Sequence, residues 1–173
     1  MHNNSERPRQ RGAQSSTAGR IALAAALLLT ASAVQAQLTV PALALQTAKV
    51  MGDACERKAA KENWKMVIAV VDAGGNLKYF SRMEDSFLVS VRIAQLKAET
   101  SAGIPVSSRQ WGELSKTTKG LDLVPGTASF AGGLPIMTAA NRHIGGIGVS
   151  GGSADQDEEC AKAGIDAARE LLK

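Results

Sequence analysis

Hydrophobic and polar positions change rhythm several times along this chain, and each rhythm predicts an element. The first apolar stretch is unbroken, Ile21 to Leu29 (I-A-L-A-A-A-L-L-L), and Arg7, Arg9, Arg11 and Arg20 precede it. Small residues Val34 and Ala36 follow at the spacing a signal peptidase accepts. A basic start, a short apolar run and a small-x-small site are the three parts of a secretory signal. The run is shorter than the roughly 20 apolar residues that span a bilayer. Residues 1–36 are therefore expected to be a cleaved signal peptide, with a retained membrane anchor as the alternative reading. Arg9 and Arg11 are not adjacent, so the pattern is not twin-arginine. No cysteine lies near the cleavage site to take a lipid.

After residue 37 the rhythms are those of a folded domain. Thr39 and Pro41 suit a helix start. From there to about Lys61, Leu45, Ala48, Met51, Cys55 and Ala59 recur at helical spacing. Met66 to Val71 is a β-branched run that predicts a buried strand. Asp72 to Asn76 (D-A-G-G-N) is turn chemistry, and Leu77 to Arg82 is the returning strand of a hairpin. Phe87 to about Ala102 reads as a second helix, ended by Gly103 and Pro105. Ser107 or Ser108 caps a short helix through Trp111 and Leu114. Lys119 to Gly133 is loop-like. Leu134 to Ala140 and Ile144 to Val149 form a second hairpin about Asn141 and Arg142. Ser153, with Gln156 three residues on, predicts a capping box for the last helix. Strands joined by hairpins imply an antiparallel sheet covered by helices, an α+β domain spanning residues 37–173.

Charge changes the picture only through the leader. The whole chain carries 20 Lys+Arg and 16 Asp+Glu. The leader holds four of the arginines and one glutamate, Glu6, so the remainder has 16 basic and 15 acidic side chains. A nucleic-acid-binding surface is therefore not expected, nor is membrane association once the signal is removed. Aromatics are 3% of the chain, and 17 glycines favour close backbone packing. Small side chains fill little core volume, so oligomerisation is expected.

Catalytic signatures are scarce. His143 is the one histidine after the leader, which excludes a Ser-His-Asp set within the domain. No Cys-x-x-Cys or His-x-x-x-His spacing occurs. An enzyme is therefore the less favoured class.

Several segments carry a resemblance. They are A-V-V-D-A-G-G-N-L (Ala69 to Leu77), S-R-M-E-D (Ser81 to Asp85), Lys97-Ala98, P-G…F-A-G-G-L-P-I (Pro125 to Ile136) and G-G-I-G-V-S-G-G…Q-D-E (Gly145 to Glu158). In order and spacing they resemble the GlcG/HbpS-type haem-binding family, and are similar also to the C-terminal domain of PduO proteins. The resemblance implies a profilin- or roadblock-like fold, with a central antiparallel sheet of about five strands and helices on both faces. It further implies homo-oligomers, from dimers to octamers, and haem as a possible cofactor. The function implied is an exported carrier, scavenger or redox-sensor accessory, periplasmic or secreted. The alternatives are a small-carboxylate binder or enzyme of the same fold, linked to glycolate or aromatic catabolism, and a non-catalytic interaction module.

Haem needs an iron ligand and an apolar slot. Met83 and His143 are the candidate ligands; core filler and an exposed turn histidine are their alternatives. Tyr79 and Met83, four apart, share one face and Arg82 takes the other. Arg82 and Lys97 can pair with propionates or a substrate carboxylate, or internally with Asp72, Glu84 or Asp85. Gly132, Gly133, Ser150, Gly151 and Gly152 can hold an anion on backbone N–H groups, or are simply tight turns. Asp157 and Glu158 suit acid–base work or first-turn capping. In the resembled fold the first and last helices lie side by side. In an oxidising compartment that predicts a Cys55–Cys160 disulfide, with two buried thiols as the alternative.

Overall fold

The computed structural model describes residues 40–173. The expected signal peptide and the Thr39 cap lie outside the described residues. Helix α1 (Leu45–Lys61) leads into β1 (Val67–Asp72) and β2 (Leu77–Arg82). Then come α2 (Leu88–Gly103), α3 (Ser108–Thr117) and a 3₁₀ turn at Leu121–Leu123. Strands β3 (Gly133–Met137) and β4 (His143–Ser150) precede α4 (Ala154–Ala167) and a closing 3₁₀ turn, Arg169–Leu172. The α+β class holds. The sheet has four strands in the order β2-β1-β4-β3, all antiparallel, rather than the five expected. No strand forms between α3 and β3, where glycines and a proline break the chain into turns.

Local chemistry explains most of the boundaries. Ser107 with Gln110 and Ser153 with Gln156 each form a complete capping box at the start of α3 and α4. Helix α1 begins later than expected and without a side-chain cap. In the first hairpin the Asp72 carboxylate accepts the N–H groups of Gly74 and Asn76 at 2.9 and 3.0 Å, while Gly75 takes a φ of 77°. Asp72 is thus spent on its own turn and pairs with neither Arg82 nor Lys97.

The two faces of the sheet are built differently. Ile68, Val70, Ile147 and Val149 point toward α1 and α4, meeting Met51, Cys55, Cys160 and Ala161. Val67, Ala69 and Val71 point the other way, toward Ala94, Ala98 and Ala102 of α2. In β4 the residues opposite Val71 and Ala69 on that second face are Gly146 and Gly148. A Cβ on Gly148 would sit 2.1 Å from the Ala94 carbonyl oxygen, and one on Gly146 2.3 Å from that of Ala98. The G-G-I-G-V run therefore alternates bulk for one core with bare backbone for the other. That lets α2 lie directly on the strand. On the first face, Cys55 and Cys160 join α1 to α4 through a disulfide with a Cα–Cα distance of 4.8 Å. No helix among the described residues is long and apolar enough to cross a membrane.

Candidate functional site

The site grows around Lys97, which α2 buries completely against the end of β4. Its ammonium lies 2.7 Å from Asp157 Oδ2 and 2.9 Å from the Val149 carbonyl oxygen. The Phe130 ring covers it, with 4.7 Å between Nζ and the ring centroid. Two acceptors and an aromatic face occupy the three directions an ammonium can serve. Lys97 is thus a structural cation, turned inward, and is not available to a propionate or substrate carboxylate as the sequence allowed. Its partner is Asp157 on α4, not Asp72, Glu84 or Asp85.

Asp157 completes a receptor made of backbone. Its Oδ1 accepts the Gly152 N–H at 3.0 Å. The Gly152 amide of the Ser150-Gly151-Gly152 turn is thus committed to the chain's own carboxylate. Burial pushes the Lys97 ammonium below its ordinary value and the Asp157 carboxyl above its own; each partner's charge opposes the shift.

Gly132 and Gly133 serve packing. Gly132 has a φ of 119°, and a Cβ there would stand 2.7 Å from Lys97 Nζ. One on Gly133 would stand 2.4 Å from the Lys97 carbonyl oxygen. These glycines let the loop carrying Phe130 close over the ion pair. Ser108 fixes that loop: its hydroxyl donates to the Phe130 carbonyl at 2.6 Å and accepts the Gly133 N–H at 2.9 Å.

Above the pair lies an open groove of about 260 Å³. Phe87, Val89, Ile93 and Phe130 give it apolar walls, and Ser150 to Gly152 with Asp157 form its polar floor. Three of these apolar residues stay uncovered: Phe87 is 68% exposed, Val89 64% and Phe130 48%. Arg82 approaches from the side. The register pairs Arg82 with Val67 and Val67 with Ser150, so Arg82 shares the α2 face with Ser150. Two strand spacings, roughly 10 Å, separate them. Among the described residues its guanidinium bonds only to Ser86, at 3.4 Å from Oγ and 3.2 Å from the carbonyl oxygen.

The two candidate iron ligands do not join this cluster. Met83 follows β2 and packs with Tyr79 on the opposite face, against the α1–α4 core. His143 begins β4, seven residues and roughly 23 Å of strand from Ser150. Its Nε2 lies 2.8 Å from the Ser101 carbonyl oxygen, so it is held rather than free in a turn. Among the described residues no group of three or more His, Cys, Asp or Glu is placed to hold a metal ion. Phe87, Val89, Ile93, Phe130 and Ser108 were not expected as site residues. The F-A-G-G motif signalled Phe130, but only the closed loop shows what its ring covers.

The family model described as "Haem degrading protein HbpS-like" matches residues 43–166. The chain belongs to the HbpS-like family. Protein GlcG of Escherichia coli K12 is 34% identical over 109 residues, 62% of this chain and 81% of GlcG. A double mutant of Streptomyces reticuli HbpS superposes with a TM-score of 0.72 at 29% identity, covering 79% of this chain and 93% of HbpS. A PduOC–haem complex superposes with a TM-score of 0.67 at 27% identity, covering 73% of this chain and 95% of PduOC. Membership in the HbpS-like family accounts for the conjunction of the hairpin turn, the F-A-G-G loop and the glycine-spaced β4 in one fold.

Proposed function

We propose that this HbpS-like chain is an exported haem-binding protein, acting in the periplasm or secreted as a carrier, scavenger or redox-sensor accessory, and that it works as a homo-oligomer. The observation that carries the reading is the groove over Lys97 and Asp157. An apolar, aromatic-walled slot with an arginine further along the same sheet face, in no ion pair among the described residues, suits a flat macrocycle bearing carboxylates. Phe87, Val89, Ile93 and Phe130 would face the porphyrin and Arg82 would meet a propionate. Lys97 and Asp157 act through the Phe130 loop and the glycine turn, holding wall and floor in place. The lining contains no His, Met, Cys or Tyr. It therefore fits the porphyrin's faces and leaves the iron to a ligand from outside the lining. The haem-bound PduOC neighbour and the basic, apolar leader support the reading from two further directions.

A small-carboxylate site on the glycine turns is the weaker reading, because Asp157 already takes the Gly152 amide.

Haemin titration tests the proposal. The expected result is a Soret shift saturating near one haem per chain at micromolar protein. Val89→Glu puts a carboxylate on an exposed groove wall and should weaken binding about tenfold or more. Met83→Ala and His143→Ala should leave the Soret band in place. No shift at micromolar protein, or a band abolished by His143→Ala and untouched by Val89→Glu, would overturn it.

A further inference from the structure

The groove over Lys97 and Asp157 has walls for a macrocycle and no ligand for the metal inside one. Among the described residues, the side chains of the types that hold haem iron are one histidine, two cysteines, one tyrosine and four methionines. None of them lines the groove.

Each is committed elsewhere. Cys55 and Cys160 are bonded to each other. The Tyr79 hydroxyl lies 3.2 Å from Asp53 and 3.4 Å from Glu56, on the opposite face of the sheet. Met51 and Met66 are wholly buried in the α1–α4 core, and Met83 packs against it. Met66 reaches Gly152, its methyl 2.8 Å from where a Cβ there would stand, but has no exposed surface. Met137 faces His143 across β3 and β4, at the end of β4 remote from Ser150. The Lys97 nitrogen is occupied by Asp157 and the Val149 carbonyl oxygen.

Size points the same way. Pockets that bury most of a drug-sized ligand hold about 300–1,000 Å³, and a tetrapyrrole is larger than most such ligands. A groove of about 260 Å³ therefore grips one side of the ring and leaves the rest outside. Its grip is within reach of a ligand, because Phe87, Val89 and Phe130 stand open to solvent. Such walls act on the carbon faces and apolar substituents of a ring. Arg82, roughly 10 Å from Ser150 along the same sheet face, acts on its carboxylates. A metal-free porphyrin has the same faces, substituents and carboxylates as haem.

We propose that the groove selects a tetrapyrrole by its plane and its carboxylates and is indifferent to the metal at its centre, so that metal-free protoporphyrin is a ligand equivalent to haem. This inference rests on the haem reading of the groove and widens its ligand class to carboxylated tetrapyrroles. A carrier that makes no bond to the metal has none to break at delivery.

Protoporphyrin IX is the probe and haemin the reference, both titrated into the purified protein. Protoporphyrin fluorescence should change and saturate near one molecule per chain. Haemin should displace it, and the two dissociation constants should agree within about threefold. Val89→Glu and Arg82→Gln should each weaken both ligands by the same factor. A preference for haemin of about tenfold or more overturns the proposal and leaves the haem reading standing, because the chain then holds the metal. Binding of both ligands without competition overturns it as well, as does a loss confined to one ligand in either variant. If neither ligand binds at micromolar protein, this inference and the haem reading fall together.

Discussion

Lys97 gives up all contact with water, and the structure compensates it donor by donor. A buried pair of this kind punishes removal of one partner more than removal of both. Asp157→Ala should therefore cost about 3–5 kcal/mol in urea unfolding, and Lys97→Met with Asp157→Leu should recover most of that loss. Equal stabilities for the single and double variants would mean that the pair is not coupled. Lys97 stood out in the sequence as a cation of the second helix that could pair with a ligand or internally, but its burial and its partner did not. The acids considered lay in the nearby hairpin, whereas Asp157 is 60 residues further on and meets Lys97 only once β4 has crossed the sheet. Tyr79 offers a second test at this scale, because it is the chain's single tyrosine. Burial first, then the carboxylates of Asp53 and Glu56, push its phenol up to about 12. Absorbance of the phenolate should rise near that value instead of near the ordinary 10. A raised folded value stabilises fully below the unfolded one, so this contribution is lost as pH climbs from about 10 to 12. Titration at the ordinary value would show Tyr79 to be solvated.

The elements were the most readable part of the sequence, for local reasons. Capping boxes at Ser107 and Ser153, the Asp72 turn and the β-branched run of β1 each declare themselves within a few residues. The missing fifth strand did not, because it was implied by resemblance and not by any pattern between Lys119 and Gly133. The α1–α4 staple is also an element-scale property. The disulfide closes a separation of 105 residues. Chain-entropy arguments for a loop that long give about 4–5 kcal/mol, and measured losses run at about 2–5 kcal/mol. Replacing both cysteines by alanine should lower unfolding stability by an amount in that range. It should also abolish the mass difference between reduced and unreduced protein after alkylation. Because α1 and α4 share their core with Met51, Ile147 and Ala161, the variant should stay folded near 25 °C. Unchanged stability would mean that this helix packing alone fixes the pair.

At the scale of the whole molecule, the unbalanced feature is the start of α2. Phe87, Leu88 and Val89 are consecutive and 68%, 76% and 64% exposed. Such a run on an isolated domain marks a surface that another molecule covers. A core built largely from alanine, glycine and valine has little bulk to spare, which makes covering that surface worth more. Only the composition hinted at this in the sequence; the patch itself lies within a helix whose apolar positions do not repeat on one side. A second copy of the chain is the occupant the proposed homo-oligomer requires. Light scattering of the purified protein should therefore report an assembly, and Leu88→Glu should shift it to monomer without lowering the melting temperature of the fold by more than a few degrees. Leu88 is the informative position because Phe87 and Val89 line the groove proposed for haem and Leu88 does not. If monomeric Leu88→Glu still saturates with haemin, one chain completes the groove. If it dissociates and loses the Soret shift together, the groove is finished by a neighbour, which would also explain why its own lining offers no iron ligand.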